Sequence, residues 1–308
     1  MIIINSLQQL HRLAADCVVA LGTFDGLHRG HLDVIAAARR RARETGSLLA
    51  VFTFSNHPLS VLAPEKAPQA LIDAKRRQQM LAELGADVLL EIPFDEELLN
   101  LPPAAFLERL LQLGVSAVAV GENFTYGKGG AGNITTLAAA SETMGFELIV
   151  RPLLKIDGLT VSSTAIRKLI TAGEVRQAAR LLGREYEVCG VVAHGNERGR
   201  TIGFPTANIE LAGGALTVPL AGVYAARVML ADGTVYGGMA NIGKNPTFGD
   251  VRNMRLETHL FAYSGNLYGK QIRVAFIERV RGEVKFASAA ALQEQLEKDR
   301  KACKKLLR

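Results

Sequence analysis

The sequence predicts an α/β domain with a doubly wound parallel sheet, followed by a small antiparallel β-barrel domain with a C-terminal helix. Up to about residue 182, apolar segments of strand length alternate with helical segments, which is typical of a parallel sheet covered by helices. After residue 185, valine-rich segments follow one another with turn signals between them, as in a small barrel. A length of 308 residues suits two domains, which we predict to span residues 1–184 and 185–308.

Continuous apolar runs predict buried strands, and periodic apolar residues predict helices. In the first domain, the predicted strands are 17–21, 48–54, 87–92 and 115–120. Predicted helices follow residue 28 and cover 73–84 and 102–113, and a last one starts at Ser162 or Ser163 and runs to residue 172. In the second domain, the predicted strands are 187–193, 222–230, 235–242, 254–262 and 271–280, before a helix over 288–307. The buried stripe predicted for that helix contains Leu292, Leu296 and either Ala302 or Cys303.

The junction between the first strand and the first helix, residues 22–31 (Gly-Thr-Phe-Asp-Gly-Leu-His-Arg-Gly-His), is a candidate phosphate site. Its first two glycines let backbone N–H groups approach a ligand closely, and the start of a helix attracts anions. His28 and His31 are three residues apart, so on a helix they share a face and both can donate to one phosphate, with Gly30 between them. The alternative is a glycine-rich turn with two surface histidines.

Two later loops follow predicted strands at the same edge of the sheet, where open α/β sheets bind their ligands. The first of these loops contains His57. The second, residues 121–133, is rich in glycine and carries Phe124 and Tyr126. Its position favours a ligand loop, and its alternative is a flexible connection.

Residues 162–167 (Ser-Ser-Thr-Ala-Ile-Arg) open a further predicted helix. Capping of the helix explains the serines. It does not explain Arg167, because a cation in the first turn opposes the helix dipole and needs an anionic partner.

In the second domain, residues 194–208 combine glycines and cations with a Pro-Thr-Ala-Asn segment that enters a strand, and a plain barrel turn is the alternative. Residues 256–260 (Leu-Glu-Thr-His-Leu) alternate apolar and polar, so a strand puts Glu257 and His259 on one face. The pattern alone favours the interpretation of Glu257 as an ordinary solvated strand residue paired with Arg255 or Arg273.

These stretches resemble the signatures of known enzyme families. Residues 22–31 and 162–167 resemble the two signatures of the H-x-G-H nucleotidyltransferase superfamily, and its FAD synthetase branch fits best. Residues 194–208 look like the riboflavin kinase signature. Further matches to riboflavin kinases follow in order at residues 222–225, 241–247, 256–259 and 267–270. The chain therefore resembles bifunctional riboflavin kinases and FAD synthetases over nearly its whole length.

The resemblance implies that residues 1–184 transfer AMP from ATP to FMN, giving FAD and pyrophosphate. It implies that residues 185–308 phosphorylate riboflavin to FMN with ATP and Mg²⁺. The implied catalytic residues are His28, His31 and Arg167 for adenylylation and Glu257 as the base of the kinase, with His259 a lesser candidate. The residues implied to bind ATP or its phosphates are Gly22, Phe24, Gly30, Ser163, Thr164, Gly195, Arg200 and Gly203. Those implied to bind the flavin are His57, Asn123, Phe124 and Tyr126, and the implied Mg²⁺ ligands are Thr206 and Asn208.

One segment departs from the riboflavin kinase pattern. Residues 261–266 lack the acidic residues expected there, so the loop on the flavin side is predicted to have a different shape. Two other functions stay open: a nucleotidyltransferase for another phosphorylated acceptor with a regulatory barrel, and a non-enzymatic protein that binds flavin or RNA.

Composition restricts the partners and the compartment. The net charge of +6 resides largely at residues 39–43 and 298–308, on predicted helices, and small anionic ligands explain it as well as RNA. Three distant cysteines indicate a reducing compartment. The start of the chain lacks the basic region of a signal peptide, and no apolar run reaches the roughly 18 residues of a membrane span. We predict a cytoplasmic protein with small-molecule substrates and neither nucleic-acid nor membrane contacts.

Overall fold

The computed structural model describes residues 1–194, 203–211, 216–244 and 254–308, which fall into two units by their packing. One unit comprises residues 1–70 and 74–162, and the other comprises residues 71–73 and 163–308. Packing therefore groups residues 163–184 with the barrel, whereas the sequence pattern groups them with the α/β domain. The boundary at 184/185 stays a prediction.

A parallel sheet organises the first unit. In chain order its strands are β1 (Ile2–Ile4), β2 (Cys17–Leu21), β3 (Leu48–Phe54), β4 (Val88–Ile92), β5 (Val115–Gly121) and β6 (Glu147–Arg151). Their order across the sheet is β1-β4-β3-β2-β5-β6, and each neighbouring pair is parallel. Every residue of β2 and of β4 is buried, as expected for strands covered on both faces.

The strand order reverses beside β2. The chain passes from β2 to β3 and β4 on one side and later places β5 on the other side. The carboxyl ends of β2 and β5 therefore form a topological switch point, where sheets of this kind bind their ligands.

The helices of the first unit connect these strands. They are α1 (Arg29–Thr45), α2 (Leu59–Leu62), α3 (Ala74–Glu83), α4 (Glu96–Asn100), α5 (Pro103–Leu111) and α6 (Ile134–Met144). A short antiparallel pair, β7 (Lys155–Ile156) and β8 (Leu159–Thr160), ends the unit.

The second unit is an antiparallel barrel with helices at both ends of its sequence. In chain order its elements are α7 (Ser163–Thr171), α8 (Val175–Leu182), β9 (Tyr186–Ala193), β10 (Ala207–Leu211), β11 (Gly222–Met229), β12 (Val235–Lys244), β13 (Met254–Leu260), β14 (Gln271–Arg281) and α9 (Ala289–Leu306). The strands close in the order β10-β13-β12-β11-β14-β9. Tyr186, Tyr224 and Phe276 are fully buried in the unit. The predicted fold class is confirmed.

The C-terminal helix packs on the barrel through a mixed face. Cys303, one of the two alternatives in the predicted stripe, is fully buried, and Leu296 is partly buried beside it. The same face buries Asp299, which the sequence pattern did not indicate. Its carboxylate lies 2.8 Å from the guanidinium of Arg281, so the buried charge is paired.

Candidate functional site

The first candidate site lies at the carboxyl end of β2, where the chain turns into α1. Phe24, Gly26 and Leu27 have positive φ angles of 45°, 83° and 43°, so the turn uses left-handed backbone. Gly22 leaves room for the Phe24 ring, because a Cβ atom at residue 22 would lie 2.9 Å from a ring carbon. The Phe24 side chain is only 1% exposed. It is therefore a packing element, and only its backbone is available to a phosphate.

His28 and His31 meet at the start of α1. His28 caps the helix, since its Nδ1 atom accepts the backbone N–H of His31 at 3.2 Å. An accepting Nδ1 carries no hydrogen, so the neutral His28 ring carries its hydrogen on Nε2. The two rings stack with their centroids 3.5 Å apart, and Phe24 meets His31 edge-on at 5.3 Å. A Cβ atom at Gly30 would lie 3.3 Å from the His28 ring. The structure thus brings the two predicted histidines together, with His28 as the cap rather than inside the helix.

The loop after β3 adjoins this junction, because β2 and β3 are parallel neighbours. The Thr53 hydroxyl donates to the carbonyl oxygen of Thr23 at 2.8 Å. The amide of Asn56 donates to the carbonyl of Phe94 at 3.0 Å and accepts its N–H at 2.7 Å, which fixes the loop to the segment after β4. His57 is half-buried, and its Nδ1 atom accepts a backbone N–H at the start of α2 at 3.1 Å. Sequence reasoning missed Asn56, although it directly precedes His57.

The loop after β5 contains the predicted flavin contacts. Asn123 is exposed, and Phe124 is partly buried and stacks on Tyr126 with centroids 5.9 Å apart. The contact of Tyr126 with a flavin stays a prediction, but its ring is only 6% exposed and packs with Phe106 in the core. The reason is local: backbone hydrogen bonds with Gly132, of 3.0 and 2.9 Å, fold the loop back and turn the ring inward. The Tyr126 ring supports Phe124.

The second predicted signature lies at the start of α7, in the second unit. The helix begins at Ser163, one of the two predicted starts, and Thr164 follows it. Arg167 is half-buried and is the fifth residue of the helix, one position beyond the first turn. It therefore opposes the helix dipole less than the sequence suggested.

The second candidate site lies on the outer face of the barrel, along β13. Register places Asn208 on β10 and Asn241 on β12 directly opposite Glu257, so the three side chains form a row across three strands. Leu256 and Thr258 are buried, which agrees with the predicted alternation along this strand. Sequence reasoning did not single out Asn241 as a site residue.

Arg255 joins two residues of this row. Its Nε and Nη2 atoms donate to Oδ1 of Asn208 at 2.9 and 2.6 Å, and its Nε lies 2.8 Å from Oε1 of Glu257. Of the two partners considered for Glu257, Arg255 is the one observed, and Arg273 lies 3.5 Å from Glu187 instead. The uncharged amide oxygen of Asn208 and the carboxylate oxygen of Glu257 thus both face the guanidinium of Arg255. This donor set fits Mg²⁺, which prefers oxygen ligands.

The other residues predicted around this row come from the segment that enters β10. Thr206 is half-buried and directly precedes the strand. Gly203 is exposed, with a φ angle of 80°. Gly195 and Arg200 lie outside the described residues.

His259 makes structural contacts with the segment before β10. Its Nδ1 atom lies 2.8 Å from the carbonyl oxygen of Pro205, and its ring contacts the rings of Phe204 and Phe261 edge-on. Burial lowers the pKa of His259, the bond to Pro205 opposes this effect, and the nearby Arg300 lowers the pKa further. The ring is therefore neutral near pH 7. Its contacts indicate that it holds the segment before β10 rather than serving as a base.

Aromatic packing shapes the segment that departs from the riboflavin kinase pattern, residues 261–266. The Tyr263 ring packs edge-on against Tyr236 at 5.1 Å, and Ala262 has a φ angle of 56°. The turn is thus built from side chains that carry no negative charge.

The three cysteines are free and buried. Burial raises the pKa of the Cys17, Cys189 and Cys303 thiols to about 12. None of them supplies a thiolate nucleophile near pH 7.

Comparison with known families assigns both halves of the chain. Residues 10–165 match the family model for FAD synthetase, and residues 182–307 match the model for riboflavin kinase. A bifunctional riboflavin kinase/FMN adenylyltransferase of Haemophilus influenzae is 36% identical over 299 residues, which cover 96% of each chain. The protein of the same name from Bacillus subtilis is 39% identical over 290 residues, covering 93% of this chain and 91% of the relative.

Solved structures include a match over nearly the whole chain. The crystal structure of a protein from Streptococcus pneumoniae, titled a macrolide-efflux protein, has a TM-score of 0.89 at 29% identity and covers 98% of each chain. In the part of the present chain that is described, no helix is both long enough and apolar enough to cross a membrane.

Proposed function

The chain belongs to the family of bifunctional riboflavin kinases/FMN adenylyltransferases, and from this membership we propose that it makes FMN from riboflavin and then FAD from FMN. ATP is the donor in both steps. The observation that carries the proposal is that models of two families, FAD synthetase and riboflavin kinase, match the chain in order and leave few residues uncovered.

In the adenylylation step, the phosphate of FMN attacks the α-phosphate of ATP, and pyrophosphate leaves. The FMN phosphate is already a competent nucleophile, so the site needs no strong base. Its task is to stabilise charge on the α-phosphate and on the leaving group. The donor on Nε2 of His28, the stacked His31 and the start of α1 suit this task.

The family resemblance supports roles for further residues. By that resemblance, Ser163, Thr164 and Arg167 bind phosphate groups of a nucleotide. Gly22 and Gly30 keep the junction open to it. Phe124 stacks on the flavin, and the ring of Tyr126 packs against Phe124 and supports it. Asn123 and His57 supply polar contacts, as their positions after β5 and β3 suggest.

In the kinase step, the 5′-hydroxyl of riboflavin attacks the γ-phosphate of ATP. Glu257 accepts the hydroxyl proton. Its side chain is 26% exposed on the barrel surface, so its carboxylate is accessible to a bound substrate. Thr206 and Asn208 would hold Mg²⁺ together with the nucleotide, and the ion would supply charge neutralisation on the phosphates. Gly195, Arg200 and Gly203 contact the nucleotide phosphates.

We also propose that the chain works in the cytoplasm on small molecules, without a nucleic-acid partner. Its three free, buried thiols are compatible with a reducing compartment.

Incubation of the purified chain with riboflavin, ATP and Mg²⁺, followed by separation of the flavins, tests the function. We expect FMN to form first and FAD to follow. An adenylylated product other than FAD, without conversion of flavin, would instead indicate a different nucleotidyltransferase. Tight flavin binding without turnover would indicate a binding protein.

A further inference from the structure

We propose that Arg255 sets the magnesium requirement of the kinase site. It acts as an internal cation that occupies the oxygens of Asn208 and Glu257 until the metal ion displaces it. This inference rests on the proposed kinase function, in which Asn208 is a metal ligand and Glu257 is the base.

The contacts of Arg255 carry the inference. One guanidinium engages the Oδ1 atom of Asn208 twice, at 2.9 and 2.6 Å, and the Oε1 atom of Glu257 at 2.8 Å. The amide oxygen of Asn208 is the atom that a hard cation would take as its ligand. Arg255 and the metal ion therefore compete for the same oxygen.

Strand geometry builds this competition into the barrel. Arg255 and Glu257 are two residues apart on β13, so their side chains leave the same face of the sheet. Asn208 lies opposite Glu257 on β10. The guanidinium thus reaches both partners from a strand of the barrel, without help from a loop.

The solvent exposure of Arg255 and Glu257 allows a metal ion to displace the guanidinium. The side chains of Arg255 and Glu257 are 41% and 26% exposed, so water screens their attraction and the pair is weak. A divalent ion that shares its charge with nucleotide phosphates would bind the amide oxygen of Asn208 more strongly than Arg255 does, and it would repel the guanidinium. Metal binding then costs the displacement of Arg255, which raises the Mg²⁺ concentration that the site needs.

The test measures ADP binding to the full-length chain by calorimetry over a series of Mg²⁺ concentrations. In Arg255→Gln, we expect the Mg²⁺ concentration for half-maximal ADP binding to fall about tenfold, because a positive charge beside the ion is removed. Arg255→Lys keeps the charge and should stay within about threefold of the parent chain. Arg273→Gln removes an arginine of the same barrel that pairs with Glu187 and should change nothing.

The outcomes separate this inference from the function on which it rests. An unchanged or higher Mg²⁺ requirement in Arg255→Gln, in a parent chain that makes FMN, overturns the inference alone and makes Arg255 a fixed part of the site. Should Arg255→Gln fail to fold, equal Mg²⁺ requirements for Arg255→Ala and Arg255→Lys would overturn it as well. A parent chain that neither makes FMN nor binds ADP with Mg²⁺ refutes the kinase function itself.

Discussion

The Nδ1 atom of His259 lies 2.8 Å from the carbonyl oxygen of Pro205, and this contact ties β13 to the segment that enters β10. The carbonyl group of Pro205 shares its peptide plane with the N–H of Thr206. The hydrogen bond therefore fixes the orientation in which Thr206, the proposed metal ligand, is presented. Because the ring is held between Phe204 and Phe261, His259 is a positioning residue with little freedom to move.

Removal of this hydrogen bond should weaken the kinase. A typical bond of this kind contributes about 1 kcal/mol, so we expect His259→Ala to lower kcat/KM for riboflavin phosphorylation about fivefold. His259→Asn, whose amide N–H can replace Nδ1–H, should restore most of the loss. His11→Ala is the matched control, because His11 makes the same type of bond to the carbonyl of Gln9 on an exposed surface. Equal losses in the Ala and Asn variants would show that Pro205 is not held by this bond.

The same histidine predicts how stability depends on pH. Burial lowers the pKa of His259 below its ordinary value of 6.5, so the unfolded chain binds a proton more readily than the folded one. Above pH 6.5, the pKa of the unfolded state, the stability that comes from the neutral ring is fully present. It is lost as the pH falls from there through the lower pKa of the folded state. Arg300 and Lys304 of α9 add to the effect, and Glu297 opposes it.

Thermal melting between about pH 8 and about pH 5 measures this loss. We expect the melting temperature of the parent chain to fall more steeply toward low pH than that of His259→Asn, which has no group to titrate there. Parallel curves for the two proteins would contradict the assignment.

The double role of His28 allows a sharper test of the adenylylation site. Asn is a good N-cap, so His28→Asn keeps an acceptor for the N–H of His31 but loses the Nε2 donor. We expect it to make FAD from FMN roughly 10²-fold more slowly, with unchanged melting temperature. His28→Ala should lose the cap as well, at a cost of about 1 kcal/mol in stability. Phosphorylation of riboflavin serves as the internal control and should persist in both. Normal FAD formation by His28→Asn would remove His28 from the chemistry.

Much of the fold was predictable because buried strands leave a clear pattern. The strands β2 and β3 match their predicted ranges, since both are continuous apolar runs. The sequence did not predict β6 or α6. The strand β6 lies at the sheet edge and has an apolar run of only three residues, and α6 buries only Leu137, so both patterns are weak. The start of α6 depends instead on a capping box made by Asn133 and Thr136.

The kinase base has its own test. Glu257→Gln keeps size and hydrogen bonding to Arg255 but removes the proton acceptor, so riboflavin phosphorylation should fall roughly 10²- to 10⁴-fold. Adenylylation of supplied FMN should continue. Glu187→Gln is the matched control, because Glu187 is also a barrel glutamate that faces an arginine, Arg273. If Glu257→Gln phosphorylates riboflavin at the parental rate, Glu257 is not the base.

Of the contacts within the candidate sites, some were predictable from the sequence and others were not. The spacing of His28 and His31 predicted that their side chains are neighbours, because residues three apart lie about one helical turn from each other. Contact between Arg255 and Asn208 depends on the register of β10 against β13, which the sequence does not specify. The alternation along β13 was nevertheless a usable signal, since it places Arg255 on the face of Glu257. The inward turn of Tyr126 had no such signal, because it depends on a backbone pairing with Gly132.

The last prediction concerns where the barrel unit begins. Helix α8 precedes the predicted boundary at 184/185, yet it packs against β9 and β14. Val175, Ala178, Leu181 and Leu182 are buried on it. Arg176 lies 3.2 Å from Glu278 of β14, and the N–H of Leu220 donates to the carbonyl of Ile170 in α7.

A fragment of residues 163–308 should therefore fold alone and make FMN, whereas residues 185–308 should be much less stable. Full burial of a Val or Leu side chain contributes about 1.5–3 kcal/mol, so three of them are comparable with the whole stability of a domain, about 5–15 kcal/mol. Urea unfolding of the two fragments, each followed by its circular dichroism, measures the difference. A third fragment, 163–308 with Leu181→Ala and Leu182→Ala, separates the buried side chains from chain length, and it should resemble residues 185–308 in stability. If residues 185–308 unfold at the same urea concentration as residues 163–308, α8 does not belong to the folding unit of the barrel, and the boundary at 184/185 is the better one.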